Sequence, residues 1–292
     1  MTIEMLQYFI CTASYEHFSR AAQHLFISQP NLSRQIAKLE EEVGCKLFVH
    51  QGRGVKLTDA GKYFYEAVKD VPDLVAAACA GAKARAQQLD SISIGILEGQ
   101  LLNNALAAIQ SQYPSVRFRI EKSSFRSLRN GLQNGLYDII ITLTFDVSEM
   151  EDITRLTMPS GNSVIAINRF NPKASACMDV LKGLEEETLL VISSEESPIG
   201  YRRTMQMCRD LNISPSRVQY AFSIEELLLG VETNAGYAFV DNTIQLQQDP
   251  NIFFLPIGEG VGNGICVAYK NSSASKLIRE IADDMSRFLT KA

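Results

Sequence analysis

The chain has 292 residues, 46% of them hydrophobic and 21% charged, with a net charge of −5. This is the make-up of a globular protein of two or three domains, and it excludes a globally basic nucleic-acid binder, so any such site must be a local patch. No apolar run approaches the roughly 18 residues that span a bilayer, the N-terminus carries Glu4 and no basic stretch, and cysteines 11, 45, 79, 177, 208 and 266 lack any metal-ligand or CxxC spacing, which together predict reduced thiols and a cytoplasmic location.

In chain order, residues 2 to 15 place Met5, Leu6, Phe9, Ile10 and Ala13 on one helical stripe. Ser19 is the expected cap of a second short helix whose core side is Ala21, Ala22 and Leu25, followed by a turn at Phe26–Ile27. Ser28 then opens a third helix with Gln29 and Pro30 in its first turn, where a missing N–H costs nothing. Leu32, Ile36 and Leu39 recur at helical spacing, which leaves Pro30, Asn31, Ser33, Arg34 and Lys38 on the opposite face and puts Glu40, Glu41 and Glu42 at an acidic far end. From Ser19 to Leu57 there are six Lys or Arg against those three acids, whereas the remainder of the chain is acidic. Two short β-prone stretches between Lys46 and Leu57 flank "HQGRG", a glycine-containing hairpin turn. Three short helices and a hairpin outline a winged helix-turn-helix over residues 1–58.

Thr58 or Asp59 caps a long helix expected to run to Leu89. Ala60, Phe64, Ala67, Val71, Leu74, Ala78, Ala82 and Leu89 form an apolar seam of coiled-coil spacing, so residues 59–89 are expected to join two copies of the chain as a homodimer or homotetramer. Pro72 interrupts the seam and should kink or weaken the helix. From Ser91 strand-like runs ("SISIGIL", "VRFRIEK", "YDIIITL", "SVIAINR", "LLVIS", "VQYAF", "YAFV", "GICVAYK") alternate with helices near 100–112, 124–135, 198–211 and 223–234. The alternation predicts parallel sheets covered by helices, arranged as a two-lobed α/β domain over 90–292. Lobe I is assigned to about 90–161 and 269–292, lobe II to about 162–268, with the helix at Ser275–Thr290 returning to the first lobe.

All three histidines (17, 24 and 50) fall in the first 50 residues, so the α/β portion has none for a hydrolase triad. There is no G-x-S-x-G, no P-loop and no GxGxxG after a strand, and "GEGVGNG" at 258–264 precedes a strand, which suits a crossover loop better than a phosphate cradle. No enzyme, metal or cofactor is predicted. A solute-binding protein would share the two lobes but would need an export signal and lack the N-terminal head.

The stretch "FSRAAQHLFISQPNLSRQIAKLEEEVGCKLFVHQGRGVKLTDAG" (Phe18 to Gly61) resembles LysR-type transcriptional regulators. "LRNGLQNGLYDIIIT" resembles that family's xxLxxGxLDxAI signature, with Gly135 and Asp138, and "SIEELLLGVETNAGYAFV" resembles its helix–glycine–strand segment. The resemblance runs over the whole chain and implies a regulator that binds a pseudo-palindromic DNA operator and answers to a small-molecule effector between the lobes. Arg34 then suits guanine edges and the amides suit adenine, Gln29 and Ser33 suit bases or phosphates alike, and the resemblance adds Arg53 at the wing tip. Peroxide-sensing members of this family use two cysteines near Cys208. Here Ile199 stands where the partner is expected, which argues against that switch.

The effector is expected where loops enter helices at strand ends, at Glu98–Leu101, Ser123–Arg126, Ser193–Tyr201 and Phe222–Ile224. Gln100, Ser124, Ser197 and Ser223 are the candidate contacts, the three serines being equally suited to capping their own helices. A carboxylate effector is the default, with Arg126 as counter-charge; Glu98, Glu195 and Glu196 would repel it and favour an amine.

Overall fold

The computed structural model describes the chain apart from residues 53, 87–90, 100–101, 159–162, 173, 175–182, 242–248, 258–263 and 292. The expectations resting on Arg53, Gln100, Cys177, Leu89 and the glycine run at 258–263 lie outside the described residues. Two compact units emerge, Met1–Cys79 and Ala80–Ala292.

In the first unit, α1 (Ile3–Tyr15) is capped by the Thr2 hydroxyl, which accepts from the Met5 amide at 3.2 Å. The second helix, α2 (Phe18–His24), starts one residue before the expected cap. His17, not Ser19, is its N-cap: the imidazole Nδ1 accepts the Ser19 amide at 3.2 Å, a role an unprotonated ring nitrogen fills as well as a hydroxyl. The third helix, α3 (Gln29–Val43), begins after Ser28, whose hydroxyl makes no capping bond, and ends on Gly44 in the left-handed region. Leu32, Ile36 and Leu39 are buried with Met5, Phe9, Ala21 and Ala22, so the helical periodicity of the sequence does define the core face. Strands β1 (Phe48–Gln51) and β2 (Gly54–Leu57) pair antiparallel as the wing.

The expected long helix is two. The first piece, α4 (Asp59–Val68), is capped by Thr58, which accepts the Gly61 amide at 2.9 Å. A separate helix, α5 (Val71–Ala86), starts with Pro72 as its second residue. Proline has no N–H for the Val68 carbonyl and its ring crowds that group, so one helix cannot run through, while the first turn of a new one tolerates it. The break also splits the seam. Phe64 and Tyr65 turn into the core of the first unit, where the Phe9 and Phe64 rings lie 5.2 Å apart. On α5, Leu74 stays 50% exposed beside an exposed Val75.

The second unit holds two five-stranded sheets. The first contains β3 (Ser91–Leu97), β4 (Arg117–Ser123), β5 (Ile139–Leu143), β6 (Ile153–Thr157) and β12 (Ile265–Lys270), in the order β4-β3-β5-β12-β6. The second contains β7 (Ser163–Asn168), β8 (Thr188–Ile192), β9 (Arg217–Ala221), β10 (Tyr237–Asp241) and β11 (Ile252–Pro256), in the order β11-β7-β10-β8-β9. Both are mixed, which corrects the expected parallel sheets: β12 runs antiparallel to β5 and β6, and β7 to β10 and β11. Strands β6 and β11, unanticipated from the sequence, are half-buried edge strands, where one-sided packing leaves a weak pattern. Because β12 lies wholly in the first sheet, the chain has returned to lobe I by Ile265, ahead of the expected boundary at 268/269.

Helices α6 (Asn103–Gln112) and α10 (Lys276–Lys291) cover one face of the first sheet, burying Ile94, Ile139 and Ile141 against Ile109, Ile281 and Met285. The opposite face takes α7 (Phe125–Asn134) through Leu128 and Leu132, and this apolar layer continues into lobe II at Leu190 and Val240. Helix α8 (Pro198–Asp210) buries Cys208 in lobe II's own core with Tyr237, and α9 (Ile224–Glu232) joins the layer shared by the lobes. Gly135 ends α7 at φ 76, the left-handed position where a Cβ is unwelcome. Three residues on, Asp138 pins β3, its carboxylate accepting the Ser93 amide at 2.8 Å.

Candidate functional site

On α3, Gln29, Pro30, Arg34 and Lys38 are exposed, and Asn31 and Ser33 are half-buried on the same side. The Gln29 amide donates to the Ser33 hydroxyl at 2.9 Å, one helical turn on, which orients both polar heads outward. Among the described residues Arg34 makes no ion pair, so its five donors are available to a partner.

The acidic end of α3 is not the solvated run the charge pattern suggests. Glu40 is only 8% exposed. Its Oε1 accepts the Leu47 and Phe48 amides at 2.8 and 3.1 Å, and its Oε2 meets the Lys46 ammonium at 2.6 Å. One carboxylate thus fastens the first residue of the wing to α3 and pairs with Lys46, while Arg34 and Lys38 are the basic groups of α3 itself. Glu42 pairs with the N-terminal ammonium. The wing is also held from the other side: the Val55 amide donates to the Glu16 carbonyl at 2.8 Å, and a Cβ on Gly54 would lie 2.7 Å from that same oxygen. Hence the second glycine of "HQGRG" is required by a close backbone approach.

In the second unit each candidate serine caps its own helix. Ser124 accepts the Ser127 amide at 3.4 Å, Ser197 the Gly200 amide at 3.2 Å, and Ser223 the Glu226 amide at 3.0 Å. Glu226 in turn reaches back past Ser223 to accept the Phe222 amide at 2.7 Å. Ser124 and Ser197 have a second role at the contact between lobes. Glu196, on a lobe II loop, lays its carboxylate against the N-terminus of α7, taking the Ser124 hydroxyl and the Arg126 amide, the latter at 3.4 Å. The reverse contact comes from Glu98, whose carboxylate accepts the Ile224 amide at the start of α9 in lobe II. Two helix N-termini that would suit an anion are each occupied by a carboxylate of the opposite lobe. Burial pushes the pKa of both glutamates up, and for Glu98 the neighbouring Glu225 and Glu196 add to the rise.

The polar centre of this contact was not visible in the sequence. Arg129 on α7 pairs with Asp146, which is 2% exposed, and donates through Nη2 to the Glu196 carbonyl at 2.7 Å. Ser197 and Thr142 donate to the two Asp146 oxygens, each at 3.4 Å. Burial raises the Asp146 carboxyl to about 7 even though Arg129, Ser197 and Thr142 all favour its charged form. Beside this network lies a cavity of about 600 Å³, counting its open mouth, with walls from both lobes: Phe125 and Phe145 on one side, Leu190, Ile224 and Phe239 on the other. Ser197 lines it, and the Arg203 guanidinium stands at 5.5 Å over the Phe145 ring. Its largely apolar lining, with the few polar groups of Ser197, Arg203 and Asp241, suits a small organic molecule.

A head carrying an exposed polar helix and wing, joined to a two-lobed domain with an apolar cleft, matches known proteins along its whole length. Residues 3–62 match the bacterial regulatory helix-turn-helix proteins of the lysR family, and residues 86–288 match the LysR substrate binding domain. The chain belongs to the LysR family. The regulator is 26% identical over 290 residues to the transcriptional regulator BudR of Raoultella terrigena, covering 97% of this chain and 99% of that one. It is 26% identical to BenM of Acinetobacter baylyi over 88% of this chain and 86% of the relative. Among solved structures, full-length BenM superposes with a TM-score of 0.54 at 22% identity, covering 100% of this chain and 97% of BenM. CbnR complexed with its target DNA gives 0.54 at 19%, covering 98% and 99%. The regulator is therefore a DNA-binding transcription factor with an effector-binding domain, and not an enzyme. No described helix is long and apolar enough to cross a membrane.

Proposed function

We propose that α3 is the recognition helix and that Gln29, Pro30, Asn31, Ser33, Arg34 and Lys38 form its DNA-facing surface, with Arg53 at the wing tip. The observation that carries this is the burial split on α3: three aliphatic residues inward, and amide, hydroxyl and guanidinium groups outward on the first turns, where helix-turn-helix proteins meet base edges. Arg34→Ala should lower specific affinity by about 1–3 kcal/mol if Arg34 makes a bidentate base contact, and Lys38→Ala should instead flatten the salt dependence by about one charge. Gel-shift titrations at several salt concentrations separate the two. Full affinity and an unchanged footprint for Arg34→Ala would place the reading helix elsewhere. Acting on DNA, the regulator works in the cytoplasm.

The organisation we propose is a head over 1–58, a linker over 59–89 and an effector domain over 90–292, lobe I resuming near 265. Within the linker α5 supplies the dimer contact, supported by its exposed Leu74 and Val75, and Phe64 leaves the seam because it packs in the head. The dimer then sets the spacing of a pseudo-palindromic operator. Leu74→Glu should weaken self-association by on the order of tenfold or more, measured by sedimentation of the full chain. Undiminished association would move the contact off α5.

For the effector we propose a small molecule with an apolar body in the interlobe cavity and a carboxylate near Ser124, Ser197, Ser223 and Gln100. Such a ligand competes with the chain's own anions at the helix N-termini. Glu196→Gln weakens one of these, so it should raise affinity for a carboxylate effector several-fold, read as a larger melting shift at fixed ligand. An amine effector would respond in the opposite direction and overturn the carboxylate assignment.

A further inference from the structure

The turn between α2 and α3 carries the most exposed large apolar side chain among the described residues. Phe26 is 96% exposed. Its backbone sits at φ 54, in the left-handed region. The turn is a complete Schellman ending of α2: the Phe26 amide donates to the Gln23 carbonyl at 3.2 Å, and the Ile27 amide to Ala22 at 3.0 Å. That geometry reserves the left-handed place for Phe26, where glycine or asparagine meets no steric cost and a residue with a large side chain does. Ile27 packs against the head core and holds the turn. The ring of Phe26 therefore contributes nothing to the fold that the fold would lose, and a solvent-exposed benzyl group costs hydration as well as backbone freedom. Such a combination of a disfavoured backbone and an exposed aromatic ring points to a partner that covers the ring.

The partner is identified by continuity. Phe26 lies two residues before Ser28, the N-cap of α3, and so three residues from Gln29, where that helix begins. Resting on the reading of α3 as the recognition helix, we propose that Phe26 is a further DNA contact of this regulator, its ring covering apolar surface of the duplex beside the first turn of α3. Two surfaces of DNA offer that chemistry, the 5-methyl group of thymine in the major groove and the carbon face of a deoxyribose. Either contact is uncharged, and so distinct from the roles of Arg34 and Lys38.

The test uses the full-length protein and the duplex it retains from fragmented genomic DNA. Phe26→Asn keeps the left-handed turn, since asparagine is at ease there, and melting of the variant should be unchanged or raised. Its affinity for the retained duplex should fall about tenfold, the fold-change for re-exposing part of a phenyl ring, with the salt slope unchanged because no counterion release is lost. Phe26→Tyr should restore most of it. Replacing single thymines with uracil removes one methyl at a time. A position where the wild type loses affinity and Phe26→Asn does not identifies a methyl contact; a loss in Phe26→Asn with no such position identifies the sugar face. Full affinity of Phe26→Asn, alongside a weakened Arg34→Ala, overturns the proposal and leaves the recognition helix standing. Full affinity of both variants overturns the recognition helix itself. Intact DNA binding with lost transcriptional activity in Phe26→Asn also overturns the proposal, by assigning the ring to the transcription machinery.

Discussion

Arg129→Ala is expected to cost the effector domain about 3 kcal/mol at pH 8, where the Asp146 carboxyl is ionised in the wild type and the substitution removes its buried partner. Asp146 has 1% of its side chain exposed and Arg129 18%, so water cannot replace the guanidinium, and the Glu196 carbonyl across the lobe contact loses its donor as well. The loss should depend on pH. The Asp146 carboxyl stands at about 7 in the fold against an ordinary 3.8, so the fold binds that proton more tightly than the unfolded chain does. Its contribution is therefore complete below about pH 4 and disappears as pH rises through about 7. Without Arg129 the carboxyl is harder still to ionise, and the variant should fall further behind the wild type at pH 8 than at pH 6. Denaturant unfolding of the full chain at both pH values measures this. The surface pair of Arg202 with Glu149 provides the contrast: both partners are more than half exposed, and Arg202→Ala should cost no more than about 1 kcal/mol. Equal losses for the two variants would show that the buried pair stabilises the fold no more than a surface one.

The second large effect is expected in the head. Glu40→Ala removes the acceptor for the Leu47 and Phe48 amides, and a buried donor left unpaired costs roughly 1–3 kcal/mol; with the Leu47 amide buried and the Phe48 amide only half-buried, about 2–4 kcal/mol is expected for the two. Glu40→Gln keeps a carbonyl oxygen for both amides and gives up only the charge facing Lys46, which is 76% exposed, so it should recover most of the stability. Operator affinity should follow stability, since the same carboxylate seats the wing. If Glu40→Gln fares no better than Glu40→Ala, the ion pair and not the amide clamp is what matters.

These two residues also show where sequence reasoning stops. Leu32, Ile36 and Leu39 announce the core face of α3 because hydrophobic period and burial are one signal. Glu40 sits in a run of three acids near a helix end, a pattern that reads as solvated, and only the return of Lys46–Phe48 to that spot makes it a clamp. Arg129 and Asp146 are 17 positions apart with nothing at helical or strand spacing to link them. Ser124, Ser197 and Ser223 were legible as helix starts, and they are; whether a serine does more depends on what the opposite lobe brings to it, as Glu196 does to Ser124. Strand direction was equally hidden. The apolar runs of β7 and β12 are those of fully buried strands, and such runs carry no record of whether a neighbour is parallel or antiparallel. Pro72 was the exception, a single residue whose lack of an N–H marks the break between α4 and α5.

The placement of β12 has a consequence for how the regulator is made. Among the described strands β6 pairs with β12 alone, and β12 leaves the ribosome after the whole of lobe II, more than a hundred residues behind β5. During synthesis the head can fold early from local contacts, whereas lobe I must wait with β5 as an open edge until nearly the end of the chain. A premature stop anywhere in lobe II would therefore release a finished DNA-binding head attached to two unfinished lobes. Such fragments would compete for operators while sensing nothing, so late nonsense alleles of this gene should behave as dominant and unresponsive, not as simple losses.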